Sequence, residues 1–199
     1  MNLSPVTLKG AFVALEPLTM ANLDELCEVG LDQELWKITM TLIRSREEMA
    51  SYIATATGLQ AEGRALPFAI RELRSGKAVG STRLANIDAE NRRVEIGWTW
   101  VARPWQRTVV NTEAKLLLLT HSFESLGCIR VEFKTDSINS RSRNALLRIG
   151  AKEEGLLRNH MITPTGRTRH SVYYSITDAE WPAVKQNLRR MVQGERIQQ

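Results

Sequence analysis

The chain lacks several things, and each lack narrows what it can be. It has two cysteines in 199 residues, Cys27 and Cys128. They show no metal or redox spacing, so both are expected as free thiols in a reducing compartment. Of the histidines, His121 and His160 have no Cys or carboxylate partner at ligand spacing, and no metal site is expected. No apolar run approaches the roughly 20 residues that span a bilayer. The longest in mid-chain is Leu116 to Leu119. Met1 to Met20 alternates in character and contains two prolines, so no secretory signal is read there and a cytoplasmic protein is expected. Repeats, low-complexity tracts and linkers are missing. So are a basic run and an interleaved aromatic platform. The net charge of +5 would suit nucleic acid, but without such a run or platform that partner is not expected. A ligand carrying several phosphates would equally suit a basic rim.

What is present is an ordinary globular composition, 43% hydrophobic and 25% charged, in a length that suits one domain over residues 1–199. Ala11 to Leu18 alternates as a strand. Thr19 to Val29 reads as a helix capped by Thr19 or Asn22. Ser45 to Glu62 is a second helix, with Ser45 and Glu48 at capping-box spacing. Strands are expected over Pro67–Leu73, Ala78–Ile87 and Arg93–Val101, the last two forming an antiparallel hairpin. A helix follows over Thr112–Leu126, then a strand over Ile129–Thr135. Asn139 to Ile149 is a short helix closed by Gly150. Ser171–Thr177 is a late strand and Ala179–Arg190 a terminal amphipathic helix, with a frayed tail beyond. This order predicts an α/β (α+β) domain whose first half is antiparallel, with a parallel crossover around the Thr112 helix.

The junction from Arg103 to Ala114 is the most informative segment. A strand that ends in a Pro-broken loop and feeds a helix aims free backbone N–H groups at one point, and the helix dipole reinforces them. Such a junction suits a phosphate or pyrophosphate.

Several motifs in order then resemble the GNAT N-acetyltransferases: Glu95-Ile96-Gly97-Trp98, Pro104-Trp105, Thr112-Glu113-Ala114, Phe123-Glu124-Ser125-Leu126-Gly127, Asn139-Ser140-Arg141-Ser142 and Ile149-Gly150-Ala151. Glu154 to Arg158, with Tyr174-Ser175-Ile176 and Glu180-Trp181-Pro182, is similar to the Rim-type (ribosomal-protein-alanine) branch. The resemblance runs from about Leu8 to Leu188. It implies a mixed, mostly antiparallel sheet splayed between its fourth strand, Arg93–Val101, and its fifth, Ile129–Thr135. It implies acetyl transfer from acetyl-CoA to a primary amine, on a protein N-terminus or a small molecule, in a ternary complex. The alternative is a GNAT-fold module that holds CoA without efficient turnover. Homodimerisation is plausible.

By this resemblance the donor lies along Trp100 and Val101 and on the loop Gln106, Arg107, Thr108, Val109, Val110, Asn111 and Thr112. The family writes small residues where Val109 and Asn111 stand. Glycine there would permit positive φ, which a β-branched Val109 resists, whereas Asn111 tolerates it and can cap the helix. Asn139 is expected on the pantetheine arm or as a plain N-cap. Ser142 is the candidate general acid, since the tyrosine of many relatives is here Leu146. Arg148, with Arg141 and Arg143, is a candidate for the 3′-phosphate or a solvated cation. Glu95 is the candidate general base, placed by alternation opposite Val94, Ile96 and Trp98 and beside Gly97, or else a rim glutamate. Trp36 reads as acceptor pocket or core packing. Arg158 is expected on the acceptor side. His170 is a tuning residue or a strand-edge one. Acceptor specificity is expected in the early helices and in a late loop, Asn159 to Arg169.

Overall fold

The hairpin expected from Ala78 to Val101 lies at the centre of one eight-stranded sheet. In the computed structural model, which describes residues 1–194, the elements are β1 (Leu8–Lys9), β2 (Val13–Pro17), α1 (Leu23–Gly30), α2 (Arg46–Ala61), β3 (Ala65–Glu72), β4 (Ala78–Asp88), β5 (Arg93–Val101), α3 (Val109–Thr120), β6 (Arg130–Asp136), α4 (Ser140–Arg148), β7 (Lys152–Ile162), β8 (Thr168–Thr177) and α5 (Trp181–Val192). The strand order is β1-β2-β3-β4-β5-β6-β8-β7. Every neighbouring pair is antiparallel except β5 with β6. A parallel pair needs a crossover connection, and α3 supplies it.

The sheet is covered on both faces, and the strand periodicity decides which residue goes where. On one face Ala69, Ala78 and Trp100 pack with Leu26, Met49, Tyr52 and Ile53 of α1 and α2. On the other, Phe68, Leu84, Ile96, Val131, Phe133 and Tyr174 meet Val110, Ala114 and Leu118 of α3, Leu146 of α4 and Trp181 and Leu188 of α5. The i, i+4 spacing of Val110, Ala114 and Leu118 is what turns α3 inward. Buried side chains of this size each contribute roughly 1.5–3 kcal/mol.

Some expectations need correction. The crossover helix starts at Val109, three residues earlier than its apolar pattern suggests. It passes into a wider π turn over His121–Ser125, where the hydroxyl of Ser122 donates to the carbonyl of Leu118. Its cap is Thr108, whose hydroxyl accepts from the Val110 N–H at 3.3 Å, and not Asn111. The segment expected as a late loop, Asn159 to Arg169, is mostly strand. β7 runs to Ile162, β8 begins at Thr168, and only the tip between them is a turn. Continuous exposure along β7 hid its alternation, because it is the edge strand. The terminal helix runs to Val192, two residues past the expected Arg190; the frayed tail expected beyond Gly194 lies outside the described residues.

Candidate active site

β5 and β6 pair over only three positions, Arg93 with Arg130, Val94 with Val131 and Glu95 with Glu132. Past Glu95 they separate. The β6-facing edge of β5 beyond that point has no strand partner among the described residues; the carbonyls of Trp98 and Val101 are taken by Tyr52 and Gln106, and the backbone N–H groups along that edge are left for a ligand. The divergence coincides with a bulge. Arg83 pairs with Gly97 and Ser81 with Trp100, so β5 carries one residue more than β4 in between. The bulge bends the strand and breaks alternation. Trp98 adopts φ +49°, a conformation costing a non-glycine residue on the order of 1–3 kcal/mol. The strand alternation expected for Trp98 fails here. Its indole lies over the Arg83 guanidinium, 5.3 Å from ring centroid to carbon, on the face of Glu95 and Gly97 rather than that of Val94 and Ile96.

Glu95 is 4% exposed and sits at the apex of this fork. Its carboxylate accepts from the Asn86 side-chain amide at 2.7 Å and lies 3.5 Å from the Lys134 ammonium. Gly97 leaves the space beside it: a Cβ there would stand 3.1 Å from the Glu95 oxygen. A buried carboxylate with one neutral and one cationic partner is neither a solvated rim residue nor a fully locked ion pair. Around it on the same face lie Lys134, with its ammonium over the Tyr173 ring, and His160, edge-on to the same ring. Burial, then Lys134 and Arg169, hold His160 below the ordinary histidine range, and its Nδ1 is buried without a partner among the described residues. Sequence reasoning missed Asn86, Lys134 and Arg169. Isolated polar residues on strands give no signal until the register brings them together.

The loop after β5 does not put a left-handed residue at Val109 or Asn111. That conformation falls on Arg107, at φ +61°, and both suspected positions lie inside α3. Gln106 is tied down at both ends. Its amide donates to the Val101 carbonyl at 2.8 Å and its oxygen accepts from Arg141 of α4 at 2.8 Å. Arg148, at the other end of α4, donates to the Thr112 hydroxyl at 3.0 Å. Two arginines therefore staple α4 to the start of α3, and Arg107 and Thr108 stand exposed beside them. The Asn111 oxygen is buried without a partner among the described residues. Asn139 caps α4, its side chain accepting from the Ser142 N–H at 3.0 Å.

Trp36 is a core residue, 4% exposed. Its N–H donates to the Gly30 carbonyl at 2.8 Å and its ring is edge-on to Trp100 at 5.4 Å. The indole of Trp100 is thus committed to the core as well, which leaves only its backbone for a ligand. Trp36 also reaches a small cavity of about 20 Å³ shared with Thr39, Thr163, Thr165 and Arg167. The β7–β8 tip and the segment after α1, the two regions expected to set acceptor choice, therefore meet. His170 holds a bulge in place, its Nδ1 accepting from the Asn159 N–H at 2.8 Å. Arg158 is exposed on β7.

Residues 13–152 match the family described as Acetyltransferase (GNAT) domain. The chain belongs to this family and is an N-acetyltransferase. It is 35% identical over 113 residues to a Bacillus subtilis protein named "Putative ribosomal N-acetyltransferase YdaF", a match covering 57% of this chain and 61% of that one. It is 28% identical over 155 residues to the N-acetyltransferase p20 of Bacillus licheniformis, covering 77% and 86%. Among solved structures, a GCN5-related N-acetyltransferase from Brucella melitensis superposes with a TM-score of 0.88 at 30% identity, over 95% of this chain and 86% of that one. RimJ of Mycobacterium smegmatis, solved with CoA-disulfide, shares the fold, with a TM-score of 0.81 at 24% identity over 95% and 96%.

Proposed function

We propose that the protein transfers the acetyl group of acetyl-CoA directly to a primary amine in a ternary complex, with Glu95 as the general base. The observation that carries this reading is the position of Glu95, a buried carboxylate at the point where β5 and β6 part. Family membership supports acetyl-CoA as the donor, as does the CoA-disulfide bound by RimJ. The residues present fit it. The N-terminus of α3 offers backbone N–H groups from the Thr108 turn onward. Arg107, Arg141 and Arg148 supply positive charge around that end.

Acetyl transfer needs a neutral amine, a polarised thioester carbonyl and a stabilised thiolate. Glu95 takes the proton of the bound ammonium, leaving the nitrogen lone pair free to attack. The open N–H edge of β5 beyond the bulge polarises the carbonyl. The Ser142 hydroxyl, on the first turn of α4, stabilises or protonates the departing sulfur. The acceptor is a small-molecule amine or a protein N-terminus. A ribosomal protein is the candidate that the name of the Bacillus subtilis relative raises.

Incubation with acetyl-CoA and a panel of amines and peptides tests the reading. The expected result is stoichiometric CoA release with an N-acetylated product detected by mass. Saturable acetyl-CoA binding with no CoA release on any acceptor would instead make the chain a CoA-holding module.

A further inference from the structure

We infer that Arg83 is the anchor for a carboxylate on the amine acceptor, so that the preferred substrates are amines that also carry an acid. This rests on the proposed acetyl transfer and names the substrate class of that same site.

Arg83 is among the most deeply buried side chains of the protein, 2% exposed. No acidic side chain pairs with it among the described residues, and its Nε has no hydrogen-bond partner. Its guanidinium is held between two aromatic rings, 4.5 Å from the Tyr52 centroid and 5.3 Å from that of Trp98. A buried charge without a counter-ion carries a large desolvation cost. Cation–π contacts offset part of it, but they satisfy none of the five N–H donors. The guanidinium instead lines an open cleft of about 320 Å³, walled by Met40, Leu42, Ser51 and Thr55 as well as the two aromatics. A planar donor fork at the wall of such a cleft matches a carboxylate in two-pronged geometry. The one carboxylate on the cleft's rim, Glu48, is exposed and accepts from the Arg44 N–H.

The placement relative to the chemistry gives the inference its content. Arg83 stands opposite Gly97 and Ala85 opposite Glu95, so Arg83 and Glu95 share a sheet face as diagonal neighbours, their backbones roughly 7–8 Å apart. They do not pair, because Glu95 is taken by Asn86 and Lys134 and Arg83 turns toward α2. An acceptor with its amine at Glu95 and its carboxylate at Arg83 carries the two groups at opposite ends, as an ω-amino acid does. A peptide N-terminus followed by an acidic residue offers the same two groups.

Calorimetric titration in the presence of CoA, without turnover, tests this. The probes are ω-amino acids of increasing length against their carboxamides, and Ala-Glu peptides against Ala-Gln peptides. The wild type is expected to bind at least one acid about tenfold or more tightly than its amide, and the arm in which this occurs identifies the source of the carboxylate. In Arg83→Met the ratio is expected to fall to about one. Arg83→Lys, which keeps the charge and loses the fork, retains part of it. The Met variant is expected to melt at or above the wild-type temperature, since an unpaired buried charge is gone. No acid preference in the wild type, a preference that survives in Arg83→Met, or a Met variant melting well below wild type would each overturn the inference. Acid-selective binding without acetyl transfer would sink the proposed reaction and leave Arg83 as a carboxylate site that does not serve an acceptor, whereas acetyl transfer without acid selectivity would sink this inference alone.

Discussion

The amine of Lys115 lies 2.8 Å from the hydroxyl of Thr99, itself 2.7 Å from that of Thr82, and no carboxylate pairs with it among the described residues. Lys115 is 5% exposed on the inward face of α3, and burial alone lowers its pKa to about 7. An unfolded lysine titrates near 10.4. Between about pH 7 and that value the unfolded chain binds a proton that the folded chain does not, so stability rises with pH across this window. Below it both states are protonated, and the penalty is constant. Lys115→Met is therefore expected to stabilise the protein by on the order of 3 kcal/mol near neutral pH, with the gain fading toward pH 10. Paired thermal melts at the two ends check it. An equal shift at both, or a loss at both, contradicts it.

Glu113, two residues before, does the opposite job. Its carboxylate accepts from the backbone N–H groups of Ala11, Phe12 and Val13 at 2.8, 2.7 and 2.7 Å, tying the β1–β2 turn to the crossover helix. Glu113→Ala leaves three donors without an acceptor and is expected to cost about 3–5 kcal/mol. A fall in the urea midpoint measures it. A change under about 0.5 kcal/mol would mean that water replaces the carboxylate.

The loop geometry predicts a contrast between two glycine substitutions. Arg107 pays for a left-handed φ, so Arg107→Gly relieves strain and is expected to leave stability level or raise it by up to about 1 kcal/mol. Val109 is helical, so Val109→Gly is expected to lower it by roughly 0.5–1 kcal/mol. Denaturation of the two variants side by side reads the sign of the difference, and the reverse order would place the turn at Val109 instead.

Much of this was legible beforehand for identifiable reasons. The β4–β5 hairpin, the crossover and the β5–β6 fork follow from alternation around short polar turns and from motif order. The placement of Glu95 beside Gly97, on the face away from Val94 and Ile96, was legible from strand alternation. Arg83 was not, since one arginine in a strand gives no sign that its face will be roofed by Tyr52. Lys115 and Glu113 gave no signal of their own within the helix, yet both turn inward, one to two threonines and the other to a nest of backbone donors. The expected strain at Val109 failed for a simpler reason: a cap by Thr108 moved the helix start, and the left-handed residue with it.

The central claim is that Glu95 removes the acceptor's proton, and the steady-state kinetics of Glu95→Gln test it most directly. The amide keeps the size and can still bond Asn86, so acetyl-CoA affinity is expected to stay within about threefold of the wild type. Turnover is expected to fall about 100-fold or more, the usual contribution of a positioned base, with part of the loss recovered as the amine deprotonates in solution at high pH. Unchanged turnover from about pH 6 to pH 9, with acetyl-CoA still bound, would contradict the account.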